Sequence, residues 1–308
     1  MSTINFGKVA VLMGGQSAER VISLRSGEAV LTALLTQDID AHKVDVANDA
    51  AAQLATGQFD RAIIMLHGRG GEDGQIQGVL ESLAISYTGS DITGAVLSMN
   101  KALSKDIWQQ TGLPTASFAH VDSETDPESV IDELGLPLFV KPVNEGSSIG
   151  LTKVTRSLEL PKAINDALAY DREVIAERWV DGDEYTVGIL AGQALPVIKL
   201  KTPNDFYDFD AKYEANTTEY ICPAGLSEDV EKECQNIAMA AFKALRMHGW
   251  GRIDLMRDTH GQFYLLEANS IPGMTDHSLV PMAAKHAGLD FEQLAIEILK
   301  TSIDKEAK

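Results

Sequence analysis

GRIDLMRDTHGQFYLLEANSIPGMT (Gly251–Thr275) holds two apolar runs, GRIDLM and FYLLEAN, on either side of the polar turn Asp258-Thr259-His260-Gly261. The pattern predicts an antiparallel β-hairpin, because alternating apolar residues form a half-buried strand and a short Gly-containing segment closes it. Period-2 alternation sets Glu267 and Asn269 on one face, and Asp254 can meet them from the partner strand. This face carries three hard oxygen donors. Mg²⁺ favours one or two carboxylates together with phosphate oxygens of a substrate, so the face suits a metal that arrives with a nucleotide. The competing reading is an acidic, solvated strand edge.

A site of this kind needs a cleft, and the chain is long enough to build one. At 308 residues it exceeds an ordinary single core and predicts two or three subdomains. With 44% hydrophobic and 23% charged residues it reads as globular. No apolar run approaches the roughly 18 residues of a membrane helix. The N-terminus lacks the basic, apolar and small-residue pattern of an export signal, so a cytoplasmic location is expected. Cys222 and Cys234 are the only cysteines, with no CxxC or Cys/His cluster, which argues against a disulfide scaffold or a zinc site. A net charge of −19 argues against nucleic acid as a partner, since backbone phosphate affinity comes from clustered Lys and Arg.

The first third alternates strand and helix. KVAVLMGG (Lys8–Gly15), AHKVDVA and FDRAIIMLHG (Phe59–Gly68) read as strands, and Ser26–Leu35 as a helix, which together predict a parallel sheet covered on both faces. Ligands of such sheets lie beyond the strands' carboxyl ends, where GGQSAERVISLRSG (Gly14–Gly27) and HGRGGEDGQIQG (His67–Gly78) fall. Neither loop has the GxGxxG or GxxxxGK[ST] pattern, so dinucleotide and P-loop folds lose support. Glu19 either caps the following helix or receives a substrate ammonium group, and both readings stand at this point.

In MNKALSKDIWQQTGLPTASF (Met99–Phe118), Lys101 and Lys105 share a helix face ahead of a Gly-Leu-Pro stop. LPLFVKPVNEGSSIGLTKV (Leu136–Val154) ends an apolar strand at Lys141 and continues into Glu145–Gly150, a loop of glycine and serine able to fold over phosphates. VIAERWVDGDEYTVGIL (Val174–Leu190) reads strand, turn, strand, with Glu177 and Glu184 bracketing the turn, placed to bind a ribose or an adenine amino group or else simply solvated. The long connection from Lys199 to Pro223 has no sustained period and reads as a lid or else as a disordered segment, with Lys212 and Tyr213 as its candidates to reach a site. Ser227 to His248 reads as an amphipathic helix with Ser227 as N-cap, and His248 as a helix-end residue.

Taken in order, GGQSAER, HGRGGEDG, MNK, VKP with EGSSIG, ERW with Glu184, Lys212-Tyr213, RID, and EAN followed by PGMT and HSLVP resemble the D-alanine–D-alanine ligases of the ATP-grasp superfamily over nearly the whole chain. The resemblance implies an α/β fold with three subdomains. These are a parallel-sheet N-terminal domain (1–100), a central ATP-grasp subdomain (101–187), and a C-terminal one carrying the lid and metal site (188–308). It implies ATP-dependent joining of two D-alanines through a D-alanyl phosphate, for peptidoglycan synthesis, by a homodimer. It implies that Lys101, Lys141, Glu177 and Glu184 hold ATP and that Lys212 contacts its γ-phosphate. Asp254, Glu267 and Asn269 would hold a pair of Mg²⁺ or Mn²⁺ ions. Arg252 and the Gly273 N–H would bind an oxyanion. Glu19 and His67 would meet the first D-alanine, Ser278 and Leu279 the second, and Glu19, Ser147 and Tyr213 would form a hydrogen-bonded triad. Asp276 departs from the small polar residue common in the family and adds a negative charge near the second subsite. Another ATP-grasp carboxylate–amine ligase, of the amino-acid or biotin-carboxylase kind, and an inactive ATP-binding module remain as alternatives.

Overall fold

The computed structural model describes residues 4–201 and 218–303. Strands β1 (Val9–Met13), β2 (Ala41–Asp45), β3 (Arg61–Ile64) and β4 (Ser86–Tyr87) form a parallel sheet in the order β2-β1-β3-β4. Helices α1 (Arg20–Thr36), α2 (Ala50–Gly57) and α3 (Gln75–Ser82) make its crossovers. β1 and β3 are buried along their whole length, which is why they read as continuous apolar runs instead of alternating ones. The chain leaves β1 toward one edge and β3 toward the other. The glycine-rich loops after these two strands therefore open into one crevice between the strand ends.

Helices α4 (Ile92–Met99) and α5 (Lys101–Gln110) lead to a second, antiparallel sheet, β5-β8-β6-β7. Its strands are β5 (Phe118–Val121), β6 (Leu138–Pro142), β7 (Thr152–Val154) and β8 (Val174–Arg178), backed by α6 (Pro127–Leu134) and α7 (Leu160–Leu168). The third sheet comprises β9 (Gly182–Leu190), β10 (Gln193–Ala194), β11 (Ile198–Lys201), β12 (Glu219–Ile221), β13 (Trp250–Asp258) and β14 (Phe263–Asn269). Its order is β12-β11-β9-β13-β14, with β10 paired to β9. Tyr185, Val187, Ile189, Ile253, Leu255, Phe263 and Leu265 pack against Cys234, Ala238, Ala241 and Phe242 of α8 (Glu228–Ala244). The alternate residues are left facing away from that helix.

The expected hairpin is present, with Asp254 directly opposite Glu267 and Arg252 opposite Asn269. α8 is shorter than expected: it stops at Ala244, and Arg246 at φ 55° turns the chain before His248. Ser227 sits at its N-cap position without making a capping hydrogen bond. The acidic first turn of Glu228, Asp229 and Glu231 offsets the helix dipole there.

A boundary after residue 187 would cut through β9, all of which belongs to the third sheet. The C-terminal helices α9 (Leu279–His286) and α10 (Phe291–Lys300) pack Val280, Ala283, Leu294, Ile298 and Leu299 into the same core as β1 and β3. Arg61 at the start of β3 donates to Ser302 Oγ at 3.1 Å. The end of the chain thus completes the core of its beginning.

Gly14, at φ 82°, ends β1 where a Cβ would lie 2.3 Å from Asp45 Oδ1 and 2.5 Å from the Arg20 guanidinium. Its N–H also donates to Ser23 Oγ at 2.8 Å. Gly14→Ala is expected to destabilise the protein by about 2 kcal/mol or more, since it adds left-handed strain and prises apart the Arg20–Asp45 pair. Urea denaturation measures this, with Gly70→Ala as the control, because that glycine shares the positive φ but has open space where its Cβ would go.

Candidate active site

β13 is an inner strand of the third sheet, hydrogen-bonded to β9 on one side and β14 on the other. Its register places Asp254 between Thr186 and Glu267. The Asp254 carboxylate is buried and fully occupied. It accepts from Arg252 Nε (2.8 Å), Arg252 Nη2 (2.7 Å), Thr186 Oγ1 (2.6 Å) and Asn269 Nδ2 (3.0 Å). Glu267 lies 3.4 Å from Lys101 Nζ. The expected oxygen face therefore exists, and cationic side chains balance its carboxylates. Among the described residues no group of three or more His, Cys, Asp or Glu converges. Any metal held here would accordingly take two carboxylates and an amide oxygen, a donor set that fits a hard cation completed by phosphate oxygens.

Above this face lies a cleft of about 250 Å³ between the second and third sheets. Lys141, Glu177 and Trp179 line it from one side, Glu184, Met256 and Glu267 from the other, with Lys101 at its edge. Asn100 caps α5 by accepting from the Leu103 N–H at 2.9 Å, so Lys101 stands in the helix's first turn, where its Nζ donates to the Glu145 carbonyl at 2.7 Å. Glu177 is buried, with one carboxylate oxygen ion-paired to Lys105 and the other to Lys141. Burial alone would raise its pKa, but the two ammonium groups overcome that and hold it below the ordinary carboxylate range. Burial pushes Lys105 down to about 8 despite this partner.

A second cavity, of about 260 Å³, is lined by Glu19, His67, Arg252, Asn269, Gly273 and Ser278, with Glu72, Leu279 and His277 at its walls. Glu267 lines both cavities, so they adjoin at this residue. Glu19 occupies the N-cap position of α1, but its side chain makes no capping bond. It accepts instead from Ser147 Oγ at 2.5 Å, across 128 residues of sequence. A Cβ at Gly68 or Gly146 would come within 2.7 and 3.0 Å of the Glu19 carboxylate, so both loops need glycine to admit it. Ser147 and Ser148 carry left-handed φ values of 52° and 60°, an arrangement that costs energy for residues with a Cβ and is found at ligand clamps.

His67 is buried, with Nδ1 2.9 Å from the Ile271 carbonyl and Nε2 3.0 Å from Ser26 Oγ. A carbonyl only accepts, so Nδ1 carries a proton, and burial favours the neutral tautomer protonated there. Burial lowers its pKa in agreement with this, although the Glu19 charge opposes the shift. Ser278 Oγ accepts from the Thr275 N–H at 3.0 Å, which folds the Gly273–Ser278 loop over the cavity. Asp276 is exposed and lies 3.5 Å from His277 Nε2. Lys212 and Tyr213 lie outside the described residues.

Three residues here carried no assignment from sequence. Lys105 shares a face with Lys101, but its complete burial is set by packing. Glu72 accepts from the Gly68 N–H (2.9 Å) and the Ile271 N–H (3.0 Å), tying together two loops of the second cavity. Desolvation, with the nearby Glu19 charge, pushes its carboxyl up to about 7. Thr186 reads as an ordinary strand residue, and only the β9–β13 register brings it to Asp254.

Known proteins resemble this chain over nearly its whole length. The family model for the D-ala D-ala ligase C-terminus matches residues 107–300, and that for the N-terminus matches residues 41–90. A D-alanine–D-alanine ligase of Nitrosococcus oceani is 54% identical over 300 residues, covering 97% of this chain and 95% of its own. One from Acinetobacter baumannii is 52% identical over 304 residues, covering 98% of each. The D-alanine–D-alanine ligase of Bacillus anthracis, solved in complex with ATP, superposes with a TM-score of 0.87 at 30% identity, covering 98% of this chain and 100% of its own. The VanG D-Ala:D-Ser ligase of Enterococcus faecalis gives 0.84 at 28% identity, covering 96% and 99%.

The Glu19–Ser147 bond crosses from the first sheet's loop to the strained loop of the second. Ser147→Ala should leave global stability within about 1 kcal/mol of wild type, because a single hydrogen bond contributes little net energy. It should nonetheless speed amide hydrogen exchange at Gly146–Gly150. Unchanged exchange in that loop would mean the bond does not hold it.

Proposed function

The chain belongs to the D-alanine–D-alanine ligase family, and we propose that its two adjoining cavities divide the ATP-dependent joining of two D-alanines. The product, D-alanyl-D-alanine, is a peptidoglycan precursor. Support comes above all from the meeting of the cavities at Glu267, where a phosphoryl group would pass from nucleotide to amino acid. Relatives above 50% identity bearing this activity favour it over another carboxylate–amine ligase or an inactive module.

A carboxylate is a poor acyl donor, so the first D-alanine is activated as a D-alanyl phosphate and the second amine then attacks through a tetrahedral oxyanion. In this reading Lys101, Lys141 and the N–H groups of the 145–150 loop bind phosphates, and Glu177 and Glu184 the nucleoside. Glu19 takes the first ammonium group, beside neutral His67. Arg252 and the Gly273 N–H receive the oxyanion, and Ser278 and Leu279 line the second subsite. The family resemblance assigns Lys212 to the γ-phosphate and Tyr213 to a triad with Glu19 and Ser147. Asp254, Glu267 and Asn269 would hold Mg²⁺ or Mn²⁺, as one ion or two, which would offset phosphate charge. Asp254 would be shared between such a cation and Arg252, the residue this reading assigns to the oxyanion. Acyl phosphates hydrolyse, which gives a long lid its purpose.

We divide the chain into an N-terminal domain of about residues 1–100 and two ATP-grasp subdomains that meet at the nucleotide cleft, the second carrying lid and metal residues. Among the described residues no helix is long and apolar enough to cross a membrane. A cytoplasmic homodimer is the form we propose.

ADP release should be seen with D-alanine and not with L-alanine or D-lactate alone; release unaffected by D-alanine would refute the assignment. Asp254→Asn and Glu267→Gln should each lower turnover by about 100-fold or more at saturating Mg²⁺ with circular dichroism unchanged. Near-wild-type rates would remove them from the metal site. Lys141→Ala should raise KM for ATP about tenfold or more and that for D-alanine far less, because its charge is assigned to phosphates. Steady-state kinetics with each substrate varied distinguishes the two.

A further inference from the structure

Lys105 has no role in the mechanism above, and its surroundings are costly for a lysine. Its side chain is completely buried on α5, four residues after Lys101. Its Nζ donates to Thr115 Oγ1 at 2.8 Å and to the Leu265 carbonyl at 3.4 Å, and it pairs with one oxygen of Glu177. Thr115 Oγ1 itself donates to the same Leu265 carbonyl at 2.8 Å. The ammonium group therefore sits where α5, the segment after it, β8 and β14 meet. A buried cation survives only when paired and hydrogen-bonded, and this one has both.

The charge count around Glu177 is what matters. Two ammonium groups share one carboxylate, each taking one oxygen. The cluster keeps an excess of one positive charge at the wall of the cleft. Without Lys105, Glu177 and Lys141 would form a neutral pair, and the field that Lys141 presents to an anion would be largely cancelled at a separation this short. A simple strut between strands would not need a charge. Thr115 and Leu265 already tie the segment after α5 to β14 with their own hydrogen bond.

We propose that Lys105 is a positioning residue for the nucleotide phosphates: it holds one oxygen of Glu177, so that Lys141 keeps its positive charge for the polyphosphate. This rests on the reading of the cleft as the nucleotide site. Lys105 acts through Glu177 and touches no substrate. Its influence falls mainly on the phosphates, since Glu177, assigned also to the nucleoside, keeps its carboxylate when Lys105 is replaced, and it vanishes once Glu177 has no charge.

Four full-length proteins test this: wild type, Lys105→Met, Glu177→Gln, and the double variant. Calorimetry gives Kd for ATP, and displacement of a fluorescent ATP analogue gives Kd for adenosine. Lys105→Met is expected to weaken ATP about tenfold or more while changing adenosine less than about threefold. Added to Glu177→Gln, the same substitution is expected to change the ATP Kd less than about threefold. Equal weakening of ATP and adenosine, or the same loss in both backgrounds, would overturn the proposal and leave Lys105 a packing residue. If Lys105→Met alone fails to fold, the comparison within the Glu177→Gln background decides, since a tenfold loss of ATP affinity there refutes it. Failure of the wild type to bind ATP would refute the nucleotide reading itself, whereas normal ATP binding by both wild type and Lys105→Met refutes only this proposal.

Discussion

The register of β13 between β9 and β14 is the constraint on which the rest of the site depends. Side chains alternate across a strand, so a slip of one residue would send Arg252 and Asp254 into the core against α8 and turn Ile253 and Leu255 toward the cleft. The apolar residues of this three-strand unit hold the register by burying Ile253, Leu255, Phe263 and Leu265 against the helix. One hydrophobic choice therefore fixes two polar outcomes. Asp254 meets Thr186 and Glu267, and the acidic face is left where the second sheet can close over it. The irregularity between Asp254 and Leu255 falls beside this cluster, in keeping with the tendency of bulges to re-aim side chains at functional positions.

Charge is distributed against the trend of the chain. The molecule carries a net −19, yet its two cavities gather Lys101, Lys141 and Arg252, with Lys105 buried behind Glu177, each held by a carboxylate or a carbonyl. An acidic exterior repels polyanions at long range, but within a Debye length the local cations prevail. These cations are buried or half-buried, so they must be balanced whether or not a ligand is bound. Their carboxylate partners supply that balance. Binding a polyphosphate and a divalent cation would then amount to an exchange of partners, with phosphates taking the lysines and the metal taking the acids. Such an exchange avoids leaving any charge uncompensated at an intermediate stage.

The parts are tied together by contacts of very long sequence separation. Glu19 reaches Ser147, Glu72 reaches Ile271, Arg61 reaches Ser302, and the last two helices fill the core of the first sheet. The loop at Ser147 and Ser148 is held in an unfavourable backbone conformation by one such contact. That strain has a use when the loop must present its N–H groups to an anion, because a preset loop loses less entropy on binding.

Much of this was legible in the sequence, and the reason is local. The inner strands of the parallel sheet, β1 and β3, showed as apolar runs because both their faces are covered, and the hairpin showed as alternation because one face is not. The pairing of Asp254 with Glu267 followed from period 2 and a short turn. Motif order supplied the family and, through it, the expected roles of Glu19, Lys101, Lys141 and Arg252. Other features needed the tertiary structure. Whether Glu19 caps a helix or faces a loop 128 residues away depends on the approach of two subdomains, which no local pattern encodes. Lys105 and Lys101 look alike on one helix face, yet only packing decides that the first is sealed against Glu177 while the second lines the cleft. The sharing of the first core with α9 and α10, and the place of β9 wholly within the third sheet, are likewise outcomes of chain topology. Periodicity records which side of an element is buried. It does not record against what, because burial is a property of the assembled layers and not of the segment.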